Sequence, residues 1–543
     1  MHRIITHIFY GLLLLGITAC TQHNSDKEKK VFNMNLDQNL TSLDPAFARN
    51  QNALWMVNQI FNGLVQIDSN LNTLPCIAKS WKISDDGLNY TFNLRNDVYF
   101  HDDPTFPGGK GRKVIASDFV YSFFRLIDPK VASSGSWIFS DKVKDIHNFV
   151  ALNDTTFQIR LIKPFPPFLS LLTAQYCSVV PKEVVSHYGK DFRSHPIGTG
   201  PFKFRYWKED EILVMVKNEN YWEKENGQAL PYLDAVKVTF ISDKQSAFMN
   251  FIKKELDFFD KVDGSYRDDI LTKSGHMTSK YKGKFKLRKG AYLCTEYAGF
   301  LVDTSKSIAK NSPLKYKKVR QAINYAIDKP KLIKYLRNSI GIPATSGFIP
   351  QGMPGFDSTA VKGYHYDPEK AAKLLAEAGF PDGKGMPQIT LSTSTTYKDL
   401  MEFIQGELNT IGIKVKVDVS PNASLRDMMS KNAVNFFRGS WIADYGDAEN
   451  YLAMFYSKNK VPDGPNYTGY FNKEFDRLFE SSYFENDPKK RFLLNQKMDR
   501  MVMEYANIVP ILYDQSIVMT QNNISGYPLN PLNLMILKSV KKK

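Results

Sequence analysis

Between Ile389 and Val419 the hydrophobic period of the chain changes twice, and few sheets can accommodate that. Ile389 to Thr393 reads as a strand. Leu400, Ile404, Leu408 and Ile411 then recur at helical spacing up to Gly412, and Ile413-Lys-Val-Lys-Val-Asp-Val419 alternates as a half-buried strand does. A strand, a helix and a strand within about 30 residues form a crossover unit whose two strands run parallel. At least one part of the chain is therefore open α/β. The helix before this unit carries its own punctuation, with Asp367-Pro368 as cap and first-turn proline and Gly379 as its stop. Elsewhere helical and strand patterns alternate without an internal repeat. Leu54, Val57, Phe61 and Leu64 follow a helical spacing, and Tyr90 to Leu94 alternates. A helix burying Val120, Phe123, Phe124 and Ile127, capped by Ser117 or Asp118, is expected to stop before Asp128-Pro129. Another burying Val319, Ala322, Ile323 and Ala326 ends before Pro330.

The N-terminus sets the compartment. His2, Arg3 and His7 flank an apolar block, Ile8 to Ile17, far short of the ~20 residues that a membrane-spanning helix needs. Small residues and a cysteine follow, Ile17-Thr18-Ala19-Cys20. Residues 1–19 are expected to be a signal peptide. The tetrapeptide resembles a bacterial lipobox, which makes Cys20 the lipidated N-terminus of the mature chain. Residues 20–30 then read as the lipidated cysteine and a polar, flexible tether. The expected location is the cell envelope, lipid-anchored to a bacterial membrane on its periplasmic or extracytoplasmic side.

For an exported body, a net charge of +15 means something other than nucleic-acid binding. The lysines are dispersed (Lys79, Lys217, Lys253, Lys310, Lys373) apart from Lys541-Lys542-Lys543, which describes a solvated basic surface. Besides Cys20 there are Cys76, Cys177 and Cys294, far apart, without metal-ligand spacing and able to form at most one disulfide. The sequence leaves open whether any pair joins. A chain of 543 residues can bury a core without such staples.

Catalytic signatures are missing. There is no Gly-x-Ser-x-Gly, His-Glu-x-x-His or phosphate-cradling glycine loop, and His101-Asp102-Asp103 has no third ligand region beside it. Ser-x-x-Lys occurs four times, as expected in a lysine-rich chain, without the companion motifs of penicillin-binding enzymes. No cofactor and no metal is expected. Several phrases instead have plain structural readings. Asp85-Asp86-Gly87 is a hairpin turn, Gly198-Thr-Gly-Pro201 a tight backbone passage, and Trp81 and Trp222 read as core.

Taken in order, the same phrases resemble a family. Leu74 to Arg95 with Val98-Tyr-Phe-His-Asp102, Ser42-Leu-Asp-Pro45, Ser117 to Arg125, Pro196-Ile-Gly-Thr-Gly-Pro-Phe202, Asn218-Glu-Asn-Tyr-Trp222 and Val319 to Asp328 are similar to segments of extracellular solute-binding proteins of the peptide and nickel class, family 5. The resemblance covers nearly all of residues 31–535. It implies a periplasmic-binding-protein-like α/β fold (class II type) with two main lobes and a smaller extra one. Lobe I is expected from 31–75, 196–292 and 509–543, lobe II from 76–195 and lobe III from 293–508, with the ligand cleft between lobes I and III. It also implies a monomeric binder, not an enzyme, that captures short peptides for an ABC permease and its ATPase subunits.

The candidate site is Phe437-Arg438-Gly-Ser440-Trp441-Ile-Ala-Asp444-Tyr445-Gly-Asp447. A linear peptide offers a cationic end, an anionic end and an unpaired backbone, so its binder needs an acid, a base and a free edge. Asp444 supplies a carboxylate, Arg438 a guanidinium fork, and Trp441 an amphipathic wall between them. In oligopeptide-binding members a similar motif, Arg-x-Gly-Trp-x-Ala-Asp-Tyr, uses its aspartate for the ligand's α-ammonium. Arg438, Trp441, Ala443, Asp444 and Tyr445 match it, and Ser440 replaces a glycine. The resemblance lets Arg438 meet the carboxylate of a short peptide. The alternative for Asp444, Asp447 and Glu449 is to cap a helix entering Asn450 to Phe455. Across the cleft the resemblance offers backbone groups at Ala48-Arg49-Asn50-Gln51, and the smaller lobe brings Asp128 to Trp137, whose small residues suit close approach. Trp137 is expected there as a pocket aromatic. Some oligopeptide binders join two cysteines across this motif; Cys294 matches one, the other falls at Ile442, and that bridge does not carry over. The turn Asp103 to Arg112 is longer than the family's and is expected to be a surface loop.

Three rivals follow from the same residues. A nickel or metal-chelate binder wants histidines in the cleft, and none accompanies Arg438 to Asp447. An oligosaccharide binder wants stacking aromatics with neutral polar groups, against which Asp444 argues. A cell-envelope peptide hydrolase would turn its ligand over. The lipobox yields the first test: Cys20→Ala is expected to release a soluble protein with unchanged ligand affinity, measured by membrane fractionation and calorimetry. Retention at the membrane would place the anchor elsewhere.

Overall fold

The computed structural model describes residues 29–543. The expected signal peptide, Cys20 and most of the tether lie outside the described residues. Three sheets organise the chain. A four-stranded sheet orders Val31–Leu36, Ala235–Phe240, Ile212–Lys217 and Phe202–Lys208, with the first pair parallel and the rest antiparallel. A second, wholly antiparallel, orders Ala78–Ile83, Asn89–Leu94, Thr156–Arg160 and Phe149–Asn153. The third has seven strands. Its path is Phe258–Phe259, Ile508–Thr520, Lys286–Phe300, Phe436–Ile442, Ile389–Ser394 and Val415–Ser420, and Ile342–Pro343 joins beside Ile508–Thr520.

The crossover unit stands as its period dictates. Ile389–Ser394 and Val415–Ser420 pair in parallel, and between them helix Lys398–Thr410 buries Leu400, Met401, Ile404 and Leu408 against the sheet. Gly412, at φ +86°, makes the left-handed exit. The helix before it, Pro368–Glu377, is capped by the Asp367 carboxylate accepting from the Lys370 N–H, and Gly379 follows it. Other elements differ from the sequence reading. Helix Ala116–Ile127 starts two to three residues earlier than expected, after Ile115, so neither Ser117 nor Asp118 is its cap. Asp118 instead sits in the first turn. Its carboxylate reaches back to the Ile115 N–H and takes both arms of Arg112. This helix buries Phe119, Phe123 and Leu126 fully and leaves Val120, Phe124 and Ile127 half-buried, packed on Phe149 and Phe157 of the second sheet. Helix Gln51–Ile60 stops before Phe61 and Leu64, which belong to the following turn.

Lys286–Phe300 and Ile508–Thr520 are too long for one sheet position, and they serve two neighbourhoods. They pair from Lys286 with Thr520 to Ala291 with Gln515, slip register before Thr295 meets Tyr513, and slip again between Glu296 and Tyr297 on the way to Gly299 with Ile508. At the first end Ile517 and Met519 pack with Phe248, Phe251 and Phe285; at the second Ala298, Phe300, Val509 and Ile511 join the core under helix Lys398–Thr410. The slips are where the ribbon bends between them.

Cys76, Cys177 and Cys294 are buried, free thiols. Cys294 pairs across the sheet with Ile442, the position where the resemblance placed the second cysteine of the family's bridge. Asp103 to Arg112 is anchored by Phe106, which is buried against Phe100. Among the described residues no helix is long and apolar enough to cross a membrane. The Gly198 to Pro201 passage lies directly on the end of helix Gln51–Ile60, where the Gly200 N–H donates to the Ile60 carbonyl. A Cβ on Gly200 would stand 2.4 Å from the Ile60 carbonyl carbon and 2.6 Å from the Gln59 oxygen, both main-chain atoms that cannot swing away. Gly200→Ala is therefore expected to cost about 1–3 kcal/mol in a denaturant titration. A loss below a few tenths would mean that this contact relaxes freely.

Candidate ligand-binding site

Strand Phe436–Ile442 runs parallel to Ile389–Ser394, so the loop after it, Ala443 to Ala448, emerges at the carboxyl edge of the sheet beside the Thr395–Tyr397 turn. Crevices for ligands form at that edge in open α/β sheets. Alternation along the strand divides the candidate residues. Arg438, Ser440 and Ile442 lie opposite Ala298, Glu296 and Cys294 and share their face; Trp441 lies opposite Thr295 on the other. Trp441 is thus not a wall between Arg438 and Asp444.

Each acid of the loop has an identifiable role. Asp447 holds the buried start of helix Glu449–Leu452, accepting the Glu449 N–H at 2.9 Å, and makes a two-armed ion pair with Arg491 at 2.6 Å. Glu449 is buried under the hydroxyls of Tyr445 and Tyr483. Burial raises its carboxyl, and those two hydrogen bonds offset part of the rise. Asp444 does not cap the helix. Among the described residues the one hydrogen bond to its carboxylate comes from the Asn450 amide at 3.4 Å, and it has no ion-pair partner. Its side chain meets solvent, yet protein surrounds it closely enough that lost hydration holds its carboxyl above the usual range, with Asn450 lowering it in part.

Asn450 was not legible as a site residue. It is buried, and its Oδ1 accepts the Trp441 indole N–H at 2.9 Å. An indole only donates, so this contact fixes which end of the amide faces Trp441 and turns the NH2 toward Asp444. Trp441 therefore acts through Asn450. No spacing rule would have found the pair, because one partner sits on a strand and the other on the next short helix.

The facing walls come from elsewhere in the chain. Asp44 caps the turn Pro45–Phe47 and is locked to Arg125 by a buried ion pair at 2.7 Å, while Ser133 donates to the Ala46 carbonyl at 2.6 Å. This fixes the segment leading to Arg49, which is exposed. Asn50 caps helix Gln51–Ile60, and Gln51 donates to the Asn533 carbonyl, so both of those side chains are committed to structure. Trp137 is half-buried, stacked on Tyr445 at 6.5 Å between ring centres and edge-on to Tyr176. Gly135 permits the last contact, since a Cβ there would meet the Tyr176 ring at 2.5 Å. The Tyr176 phenol is raised by burial, with a hydrogen bond to Ser134 lowering it in part, and it feels the opposite charges of Asp444 and Arg49. Tyr445, buried between Trp137 and Glu449, supports the wall rather than facing the opening.

Arg438 is also committed. It is buried, lies over the Tyr397 ring and forms an ion pair with buried Glu296. Cys294, Glu296 and Asp514 have ligand atoms within 4.8 Å of one another, but Arg438 and Arg337 already balance the two acids.

Three comparisons bear on this geometry. The pattern of bacterial extracellular solute-binding proteins, family 5 (middle), matches residues 72–463. The chain is 27% identical over 560 residues to the dipeptide-binding protein DppE of Bacillus subtilis (strain 168), spanning 97% of this chain and 96% of that protein. It is 26% identical over 527 residues to the glutathione-binding protein GsiB of Escherichia coli O1:K1 / APEC, spanning 96% of each. Among solved structures, HbpA2 from Haemophilus parasuis matches with a TM-score of 0.82 at 24% identity, over 94% of this chain and 100% of that one. The periplasmic binding protein DppA from Helicobacter pylori, in complex with the peptide STSA, matches at 0.73 and 26% identity, over 94% and 98%.

The Asn450 contact can be tested without a ligand. Removing a donor that stabilises the charged form of Asp444 raises its titration further, so Asn450→Ala is expected to move the Asp444 carboxyl midpoint, followed by carbon-13 NMR, to higher pH. A midpoint at or below that of the wild type would contradict the assignment.

Proposed function

The chain belongs to the bacterial extracellular solute-binding proteins of family 5, and from that premise we propose that it captures short peptides by their free amino end. Family membership makes it a transport binding protein and not an enzyme. In the proposal, lobe I (31–75, 196–292, 509–543) and lobe III (293–508) close on the peptide, with lobe II (76–195) supplying Trp137. A monomer lipid-anchored through Cys20 then delivers the ligand to an ABC permease and its ATPase subunits. Ligand contact with both lobes is what favours the closed state a permease can sense.

One observation carries the reading. Asp447, Glu449 and Glu296 are each answered by a cation or by hydroxyls, whereas Asp444, in the same neighbourhood and partly desolvated, is answered only by a long amide contact. A peptide α-ammonium is the complement that such a carboxylate lacks. In this reading the aromatic pair Trp137 and Tyr176 and the exposed Arg49 line the remaining walls around the ligand. Relatives point the same way in their names, one for dipeptides and one for glutathione, which also carries a free α-ammonium.

Calorimetry with a free-amine tripeptide, its N-acetylated form and glutathione tests the proposal. Asp444→Ala is expected to weaken free-amine ligands by roughly 2–5 kcal/mol, because it leaves an unpaired ammonium in the closed cleft, and to change the acetylated peptide little. Since the unliganded carboxyl is raised and ammonium binding favours its charged form, affinity is expected to fall as pH falls through the Asp444 titration. Equal losses for both peptides would make Asp444 a structural residue and displace the site.

A further inference from the structure

The ion pair between Glu296 and Arg438 stands at the carboxyl edge of the seven-stranded sheet, within the region that the peptide reading assigns to the ligand. Cross-strand register puts both residues on one face, Glu296 opposite Ser440 and Arg438 opposite Ala298. Both are buried. One arm of the Arg438 fork is given to Glu296, its flat face lies over Tyr397, and its Nε is enclosed without a partner among the described residues. The other Glu296 oxygen faces the Tyr397 hydroxyl at 3.4 Å and the Cys294 thiol at 3.8 Å. Beside it a second pair, Arg337 with Asp514 at 2.5 Å, closes the same way.

Two cations and two anions therefore cancel where the sequence alone offered a free guanidinium. A ligand carboxylate approaching Arg438 meets Glu296 at almost the same distance, so attraction and repulsion offset each other. It also finds one arm of the fork committed, which removes part of the two-armed geometry that makes arginine a selective carboxylate receptor. We propose that Glu296 is a specificity-determining residue: by holding Arg438 in a closed ion pair, it keeps the cleft from reading the ligand's terminal carboxylate. Ligands are then selected at the amine, and the class accepted is free-amine peptides whose far end is an acid, an amide or a continuing chain. The inference rests on the peptide reading above.

The test compares trialanine with its C-terminal amide, both with free amines, by calorimetry on the mature protein. In the wild type the two are expected to bind within about threefold of each other, less than one charge-assisted hydrogen bond would give. Glu296→Gln releases Arg438, and the acid is then expected to gain at least about tenfold over the amide. Arg438→Met leaves Glu296 unanswered, so the amide is then expected to gain over the acid. A wild-type preference for the acid of about tenfold or more, or a Glu296→Gln ratio equal to that of the wild type, overturns the proposal. Should Glu296→Gln fail to fold, the wild-type ratio and the Arg438→Met ratio still decide it. N-acetyltrialanine separates the two failures. If it binds as well as trialanine, or if nothing binds, the peptide-amine reading falls and this inference with it; if only the acid-to-amide ratio is wrong, the inference alone falls.

Discussion

Two strands that belong to two neighbourhoods at once hold this molecule together. Lys286–Phe300 and Ile508–Thr520 are hydrogen-bonded along most of their length, so the parts they enter cannot separate without tearing main-chain pairs. The slip between Ala291 and Thr295 breaks that continuity, and a second follows between Glu296 and Tyr297. The site residues cluster beside the first. Glu296, Cys294 and Asp514 sit at the slip itself, and the Asp444 loop leaves the sheet one strand away.

Around that point the electrostatics follow one rule with one exception. Buried acids are costly unless answered, and here Asp44 has Arg125, Asp447 has Arg491, Glu296 has Arg438, and Glu449 has two tyrosine hydroxyls. These pairs also tie distant segments together: Arg125 fixes the turn that leads to Arg49, and Arg491 anchors the loop that carries Asp444. The exception is Asp444, whose side chain meets solvent and has no cation partner among the described residues; in the proposed reading its complement is the ligand's ammonium.

Local chemistry in the sequence forecast local structure well. The change of period between Ile389 and Val419 required a parallel pair, Asp367-Pro368 marked a helix start, and the placement of Ile442 opposite Cys294 agrees with what the family resemblance implied. Helix ends were less legible, as with Asp118, which accepts from the Ile115 N–H and pairs with Arg112 from within the first turn instead of standing at the cap. The site divides in the same way. Asp444 was legible because it stands in a recognisable motif. The state of Arg438 was not, since its partner lies 142 residues away and only the register of an antiparallel pair brings it near. Asn450 and Tyr176 carry no pattern at all. Trp441 read as a wall between Arg438 and Asp444, yet the strand's period of two sends Trp441 and Arg438 to opposite faces.

The central claim is that Asp444 receives the ligand's ammonium. A crystal structure of the protein with a bound free-amine tripeptide addresses it most directly. The account predicts the peptide's α-nitrogen within hydrogen-bonding distance of the Asp444 carboxylate, with the Asn450 amide still held by the Trp441 indole. A peptide bound with its amino end elsewhere, and Asp444 facing only solvent, would contradict it.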